Sequence, residues 1–144
     1  MKTVCISGGF DPFHEGHLDY VKEASKLGDC LIVAVNCDQD MINKKGKCNL
    51  PLWFRMKTVG LWMKEYEIEG KVIASIDSDG SQAKTIRMAK PDIFANGGDR
   101  TLETANVSEI EACKEVGCRD VYGVGSEVIL KANSSSSMVF SNAK

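Results

Sequence analysis

Short runs of apolar, β-branched residues alternate along the chain with stretches whose apolar residues recur every three or four positions, and this alternation predicts most of the elements. "TVCIS" (3–7) reads as a buried strand, after which Leu18, Val21, Ala24 and Leu27 recur at helical spacing up to Gly28. "CLIVAV" (30–35) is a second continuous strand, and "RMKTVGLWMKEY" (55–66) is helical, with Met56, Val59 and Met63 on one stripe. The pattern goes on to a strand at "KVIASI" (71–76), a helix around "SQAKTIRMAK" (81–90), a strand at "DIFAN" (92–96), a helix at "VSEIEACKEVG" (107–117) and a strand at "DVYGV" (120–124). Strands that are apolar without alternation are buried on both faces, as in a parallel sheet covered by helices. The expected fold class is therefore α/β, a doubly wound, mostly parallel five-stranded sheet with helices on both faces. No internal repeat is visible, and the one low-complexity piece is "NSSSS" (133–137).

Composition narrows this picture without changing it. A chain of 144 residues fits a single domain over 1–144, one that buries roughly two-thirds of the surface its unfolded form exposes. It is 43% hydrophobic and 26% charged, with no apolar run of bilayer length and no basic, apolar leader, so neither export nor membrane insertion is expected. A net charge of −2 gives no general attraction for nucleic acid, so any anion must be gripped by a local site and the partner is expected to be small. None of the six cysteines forms a C-x-x-C pair, and several fall in predicted strands or helices as small hydrophobes do. Free thiols, a reducing compartment and a cytoplasmic location are expected.

Candidate chemistry sits where the first strand enters the first helix, in "SGGFDPFHEGHLDYVKEA" (7–24). In open α/β sheets ligands bind outside the carboxyl ends of the strands. Gly8 and Gly9 remove side chains where backbone must approach a ligand, and the N–H groups at the start of the following helix attract phosphate. His14 and His17, the only histidines in the chain, fall in the loop and first turn of that helix and can face the same anion. Their spacing is not the H-E-x-x-H of a zinc protease, and no histidine–cysteine cluster supports a zinc site.

The stretch Gly-Gly-Phe-Asp-Pro-x-His-x-Gly-His resembles the H-x-G-H nucleotidyltransferase superfamily, which includes the cytidylyltransferases for glycerol 3-phosphate and phosphoethanolamine and the pantetheine-phosphate and heptose 1-phosphate adenylyltransferases. The resemblance continues through "LGDCLIVAVNCD" (27–38), "KKGKCNLPLWFR" (44–55), "PDIFANGGDR" (91–100) and "NSSSSMV" (133–139). It implies attack by the phosphate of a small acceptor on the α-phosphorus of a nucleoside triphosphate, with release of pyrophosphate. Such chemistry is mostly positioning and charge stabilisation, so hydrogen-bond donors and cations are needed rather than a protein nucleophile.

On that resemblance His14 and His17 hold the transferring phosphate, Gly8, Gly9 and Phe10 form a backbone wall beside the triphosphate, and Gly16 lets the helix approach closely. Lys47 matches the family's loop lysine, with Lys44 or Lys45 assisting and Lys44 also placed toward the acceptor. Arg55 opens a predicted helix, where a cation is unfavourable against the dipole unless an anion is present, so a phosphate contact is expected of it. Asp11 and Asp38 bound the acceptor or ribose pocket, or else are turn formers and helix caps. In Asn96–Arg100, Gly97 and Gly98 lie against a base, Asp99 reaches ribose or metal, and Arg100 reaches phosphate. Ser135 and Ser136 offer hydroxyls and N–H groups to the β- and γ-phosphates, unless the serine run is a frayed polar tail.

Two features choose among the family's members. "VILKANSSSSM" (128–138) lacks the arginine that the glycerol-phosphate-type cytidylyltransferases carry before their final helix, Lys131 being the one basic substitute, whereas the Gly-Gly-Asp segment is shared with the heptose adenylyltransferases. Transfer of AMP from ATP to a sugar 1-phosphate is therefore expected first, and transfer of CMP to a polyol or amino-alcohol phosphate second. A nucleotide-binding module without turnover is the alternative of another class. The chain stops at Lys144, leaving about two turns for a last helix, which is expected to be weakly stable alone. Mg²⁺ is implied by the chemistry, bound mainly through substrate phosphates. The resemblance, with Trp53, Phe54 and Trp62 near the second helix, implies a homodimer.

Overall fold

The computed structural model describes residues 1–98 and 100–125. Five strands, β1 (Thr3–Gly8), β2 (Cys30–Val35), β3 (Gly70–Ala74), β4 (Ile93–Gly97) and β5 (Arg119–Val124), pair side by side in the order β3-β2-β1-β4-β5, every pair parallel. Between them lie α1 (Glu15–Ser25), α2 (Asp38–Lys45), α3 (Leu52–Glu65), α4 (Ala83–Ala89) and α5 (Val107–Val116). The chain winds outward from β1 to β3 and then returns to β4 on the other side of β1, so the strand order reverses between β1 and β4.

The period of two along the strands splits the core into two layers. Val4 and Ile6 of β1, with Leu31, Val33 and Val35 of β2, pack on one face against Val21 and Ala24 of α1 and Val59 and Met63 of α3. Cys5, Ile32 and Ala34 face the other way, onto Ala83 and Ile86 of α4 and Ala112 and Cys113 of α5. Both faces of each central strand are covered, which is why these strands read as continuous apolar runs. All six cysteines are free thiols, and among the described residues no helix is long and apolar enough to cross a membrane.

The expected strands and four of the helices are present, with ends shifted by up to three residues. The second strand of the expected set matches in full, while β3 starts at Gly70 and stops at Ala74 rather than running 71–76. Helix α2 is not signalled by periodicity. Its eight residues, DQDMINKK, bury only Met41 and Asp40 and carry no apolar stripe. The helix depends on its ends instead, with the Cys37 thiol accepting the Asp40 N–H at 3.4 Å and Gly46 closing it at φ +79°. Lys44 and Lys45 thus belong to the last turn of a helix, not to a loop.

Gly70, at the start of β3, has φ +153°, and a Cβ there would stand 1.8 Å from the carbonyl oxygen of Leu31 on the neighbouring strand. That carbonyl is fixed in the sheet and cannot move aside. We expect Gly70→Ala to cost about 3 kcal/mol of unfolding free energy, read from urea melts, because both the backbone angle and the contact oppose it.

Candidate active site

The loop after β1 solves the capping of α1 with two histidines. His14 is the N-cap residue, in extended conformation, and its Nδ1 accepts the N–H groups of Gly16 at 3.0 Å and His17 at 3.4 Å. His17 answers from the third helical position, its Nδ1 accepting the His14 N–H at 3.2 Å. This is the reciprocal arrangement usually built from Ser or Thr with Glu or Gln. Its consequence is chemical: with both Nδ1 atoms accepting, each ring is neutral and carries its proton on Nε2.

The rings stack with centroids 3.7 Å apart, and the edge of Phe10 closes on His17 at 4.9 Å. His14 is 8% exposed, and its Nε2 is buried without a partner among the described residues. Burial, then the ammonium of Lys45, depresses the His14 pKa from 6.5 to about 4. Burial, then His14 and Lys45, depresses that of His17 to about 3. Protonating either Nδ1 would also break a cap bond.

The glycine turn wraps Phe10, which is buried and holds φ +52°. A Cβ on Gly8 would press on the Phe10 ring at 3.0–3.3 Å, and one on Gly9 would meet the end of the Met41 side chain at 2.5 Å. Gly16, buried in the first turn of α1, gives its N–H to the cap.

Arg55 does something other than the dipole argument expects. Helix α3 starts at Leu52, behind Pro51, so Arg55 lies a full turn inside, and its side chain is 0% exposed. Its Nε donates to Leu50 O at 2.8 Å, Nη1 to Gly9 O at 2.9 Å and Asn36 O at 2.7 Å, and Nη2 to Asp38 Oδ1 at 2.6 Å. The counter-anion is supplied within the protein. The guanidinium braces the glycine turn to the end of β2, and it is not among the groups lining the cleft.

Asp11 and Asp38 make the contacts of their structural alternative. Both oxygens of buried Asp11 are taken by the N–H groups of Asn49 at 2.7 Å and Leu50 at 2.8 Å, which clips the 46–51 loop to the glycine turn. Asp38 opens α2 and pairs with Arg55; against its partial desolvation, hydrogen bonds from Arg55 and Cys48 hold its carboxyl below the usual range. Neither carboxylate lines the cleft. Lys47 is exposed and also stands outside it.

What the structure does bring together is a cleft of 380 Å³ above the carboxyl ends of β1, β2 and β4. Gly8, Gly9, Phe10, His14 and His17 form one wall, and Lys44 and Lys45 reach in from α2. From β4 come Asn96 and Gly97, followed by Arg100; Gly98 adjoins them without lining the space. Asp99, Lys131, Ser135 and Ser136 lie outside the described residues.

Several further cleft residues escape sequence reasoning, the polar Asn36, Gln82 and Glu109 among them. Glu109 occupies the third position of α5, where an acidic residue reads as dipole compensation. Asn106 is the cap, however, and Glu109 turns inward, accepting the Gln82 N–H at 2.8 Å with Arg100 Nη1 3.6 Å away. Burial raises its pKa, while Arg100 and the Gln82 N–H act the other way.

A histidine-capped helix and a glycine turn at the switch point of a parallel sheet are thus on one cleft, and the sequence model of the cytidylyltransferase-like family matches residues 5–140. The chain belongs to the cytidylyltransferase-like family of nucleotidyltransferases. Its relatives in the family include the Bifunctional protein HldE of Haemophilus ducreyi, 35% identical over 130 residues, covering 88% of this chain and 24% of that protein. The FAD synthase of Thermoplasma volcanium is 34% identical over 107 residues, covering 74% of this chain and 71% of that one. The chain spans about a quarter of the length of the HldE relatives it matches, at 24% for that of Hahella chejuensis as well. Among solved structures, the lipopolysaccharide core biosynthesis protein of Thermoplasma volcanium superposes with a TM-score of 0.67 at 27% identity, covering 88% of this chain and 99% of that one. A pantoate-beta-alanine ligase from Francisella tularensis, with a TM-score of 0.52 at 12% identity, covers 94% of this chain and 67% of its own, and shares the fold.

The depressed histidines make stability depend on pH in a definite direction. Unfolded rings take up protons near pH 6.5, whereas the folded rings resist until about 4 and 3, so this contribution is complete above pH 6.5 and is lost as pH falls toward those values. Each histidine adds a slope of at most about 1.4 kcal/mol per pH unit. We expect the urea-derived stability of the wild type to fall from pH 6.5 to 5, and that of His14→Asn/His17→Asn, which keeps oxygen acceptors at both cap positions, to fall measurably less.

Proposed function

We propose that this chain transfers a nucleoside monophosphate, AMP in the first instance, from a nucleoside triphosphate to the phosphate of a small acceptor such as a sugar 1-phosphate. An acceptor phosphate oxygen attacks the α-phosphorus, the bond to the bridging oxygen breaks, and pyrophosphate leaves with that electron pair. The observation that carries the reading is the pair of neutral histidines whose cap bonds leave Nε2–H outside the cap, with that of His14 buried, without a partner among the described residues, and on the cleft. Neutral donors in a desolvated site stabilise charge that grows on phosphoryl oxygens without giving up a proton.

The ammonium groups of Lys44 and Lys45 supply the positive charge, and Lys47 is assigned to the same triphosphate on the resemblance alone. Arg55 contributes by holding Gly9 and Asn36 in place. Gly97 and Arg100 receive the nucleoside and its phosphates. The similarity to HldE and to a lipopolysaccharide core biosynthesis protein supports a sugar phosphate as acceptor. The family's own description supports CTP as the second nucleotide to test.

Mg²⁺ fits this site as a companion of the triphosphate. Among the described residues no group of three or more histidine, cysteine, aspartate or glutamate side chains could cage a metal ion, and Mg²⁺ commonly binds through substrate phosphates and water. When bound it neutralises phosphate charge.

The test is pyrophosphate release with Mg²⁺, ATP and CTP run in parallel against a sugar 1-phosphate, glycerol 3-phosphate and phosphoethanolamine. His17→Asn keeps the cap and deletes Nε2–H; we expect turnover to fall by about 10²- to 10³-fold with the melting temperature little changed. Undiminished turnover would overturn the role given to the histidines, and nucleotide binding without turnover on any acceptor would favour a binding module.

A homodimer completes the reading. Helix α3 exposes Trp53 at 66% and Leu61 at 58%, with Phe54, Trp62 and Tyr66 beside them, an apolar face unusual on a monomer. Light scattering is expected to report twice the chain mass of 15.7 kDa, and particles of 15.7 kDa alone would refute the dimer.

A further inference from the structure

Three side-chain amides line the cleft, Asn36, Gln82 and Asn96, and hydrogen bonds turn the two asparagines in opposite senses. Asn96 spends its Nδ2 hydrogens on Asp120 Oδ1 at 2.6 Å and Val121 O at 2.9 Å, which leaves Oδ1 as its free polar atom. Asn36, immediately after β2, is clamped by its backbone: its N–H donates to Gly8 O at 2.9 Å, and its carbonyl accepts Arg55 Nη1. It therefore stands directly beside the glycine turn that leads to His14 and His17.

The Asn36 side chain is set by a relay running away from the cleft. Asp77, an acceptor, takes the Thr85 hydroxyl proton at 2.6 Å, and the Thr85 oxygen accepts the Ile76 N–H at 3.1 Å. Ser75 Oγ lies 2.7 Å from Gln82 Oε1, the spacing of a hydroxyl donating to a carbonyl oxygen. Gln82 Nε2 then donates to Asn36 Oδ1 at 3.0 Å, the ordinary N–H···O length. The Asn36 acceptor is thereby occupied. Its Nδ2 has no protein partner among the described residues, although the residue is buried to 4% exposure and lines the cleft.

We propose that Asn36 is a further phosphate-binding residue of this site, its Nδ2–H donating to an oxygen of the reacting phosphates alongside the Nε2–H of His14 and His17, and that Gln82 is the positioning residue that holds the amide this way round. The proposal rests on the nucleotidyl-transfer reading. Electrostatics favours an amide at this place: Lys44, Lys45 and Arg100 already bring positive charge to the cleft, and a neutral N–H adds a donor without a further cation. The opposite orientation would aim a carbonyl oxygen at phosphate oxygens.

Titration calorimetry with Mg²⁺ and the α,β-methylene analogues of ATP and CTP tests this without knowledge of the acceptor. We expect Asn36→Ala to weaken the tighter-binding analogue by about 10- to 100-fold, the range for a hydrogen bond to a charged group. Gln82→Leu, which frees the amide to turn over, should weaken it by a smaller factor. The double variant should bind no more weakly than Asn36→Ala alone, because a residue that acts only through the amide has nothing left to act on. A purely structural role for Gln82 would add its full effect to the double variant and overturn the positioning assignment. Wild-type affinity retained in Asn36→Ala would overturn the phosphate contact while leaving the nucleotidyl-transfer reading in place. If the wild type binds neither analogue, the reading itself falls and the proposal with it. Should Asn36→Ala not fold, Asn36→Asp keeps the size and the Gln82 bond and carries the same test, with undiminished binding again overturning the contact.

Discussion

Each histidine ring of the cleft places Nδ1 in the helix cap and leaves Nε2 outside it, and the rest of the site depends on that division. A helix N-terminus leaves N–H groups that must be satisfied, and a phosphate site requires N–H donors that are left free. Serine and glutamate can meet the first demand, but their side chains then hold no rigid donor on the opposite side. An imidazole does both, with Nδ1 accepting inside the cap and Nε2 donating outward. Fixing Nδ1 as acceptor in His14 and His17 determines the tautomer, the ring orientation and the neutral charge state together. The three-residue spacing is the spacing of the reciprocal cap.

Burial of Arg55 is the second constraint, and its cost explains its surroundings. A desolvated guanidinium is strongly unfavourable unless its donors are met, and here backbone carbonyls of Leu50, Gly9 and Asn36 meet them together with Asp38. Two of those carbonyls belong to segments that form the cleft. The charge therefore acts through geometry: it ties the glycine turn to the end of β2, and Asp11 ties the same turn to the loop before α3. A turn that holds Phe10 at positive φ needs such bracing, since that conformation is disfavoured for a large side chain.

What was legible in the sequence was what repeats along it. Two-sided burial gave each central strand an unbroken apolar run, and α1 and α3 carry stripes facing one layer. Helix α2 was not legible, because eight residues held by a thiol cap and a C-terminal glycine leave no stripe to read. Gly8, Gly9, His14, His17 and Arg100 could be placed on the cleft because they follow strand ends in sequence. Asp11, Asp38 and Arg55 could not be assigned from residue type, since a carboxylate or guanidinium near a loop serves a ligand or the backbone equally well, and only distances tell which. Asn36, Gln82 and Glu109 were hidden for a related reason: a polar residue after a strand or in a helix's first turn has an ordinary local explanation until tertiary packing points it inward.

The polar groups of the cleft come from both faces of the sheet, and their placement follows from the layers beneath. Histidine donors come from α1, on the face packed with α3, and the lysines come from α2 beyond the end of β2. The carboxylate of Glu109 comes from α5 on the opposite face, reached through Gln82 of the α4 segment. Arg100 Nη1, 3.6 Å from Glu109, offsets that carboxylate, so cations reach the cleft from both faces of the sheet. Asn96 adds an acceptor to the same side, its Nδ2 being spent on Asp120 and Val121. The sheet thus does more than carry the loops: by assigning α1 and α5 to opposite faces, it brings neutral donors, cations and a carboxylate to one cleft from different directions.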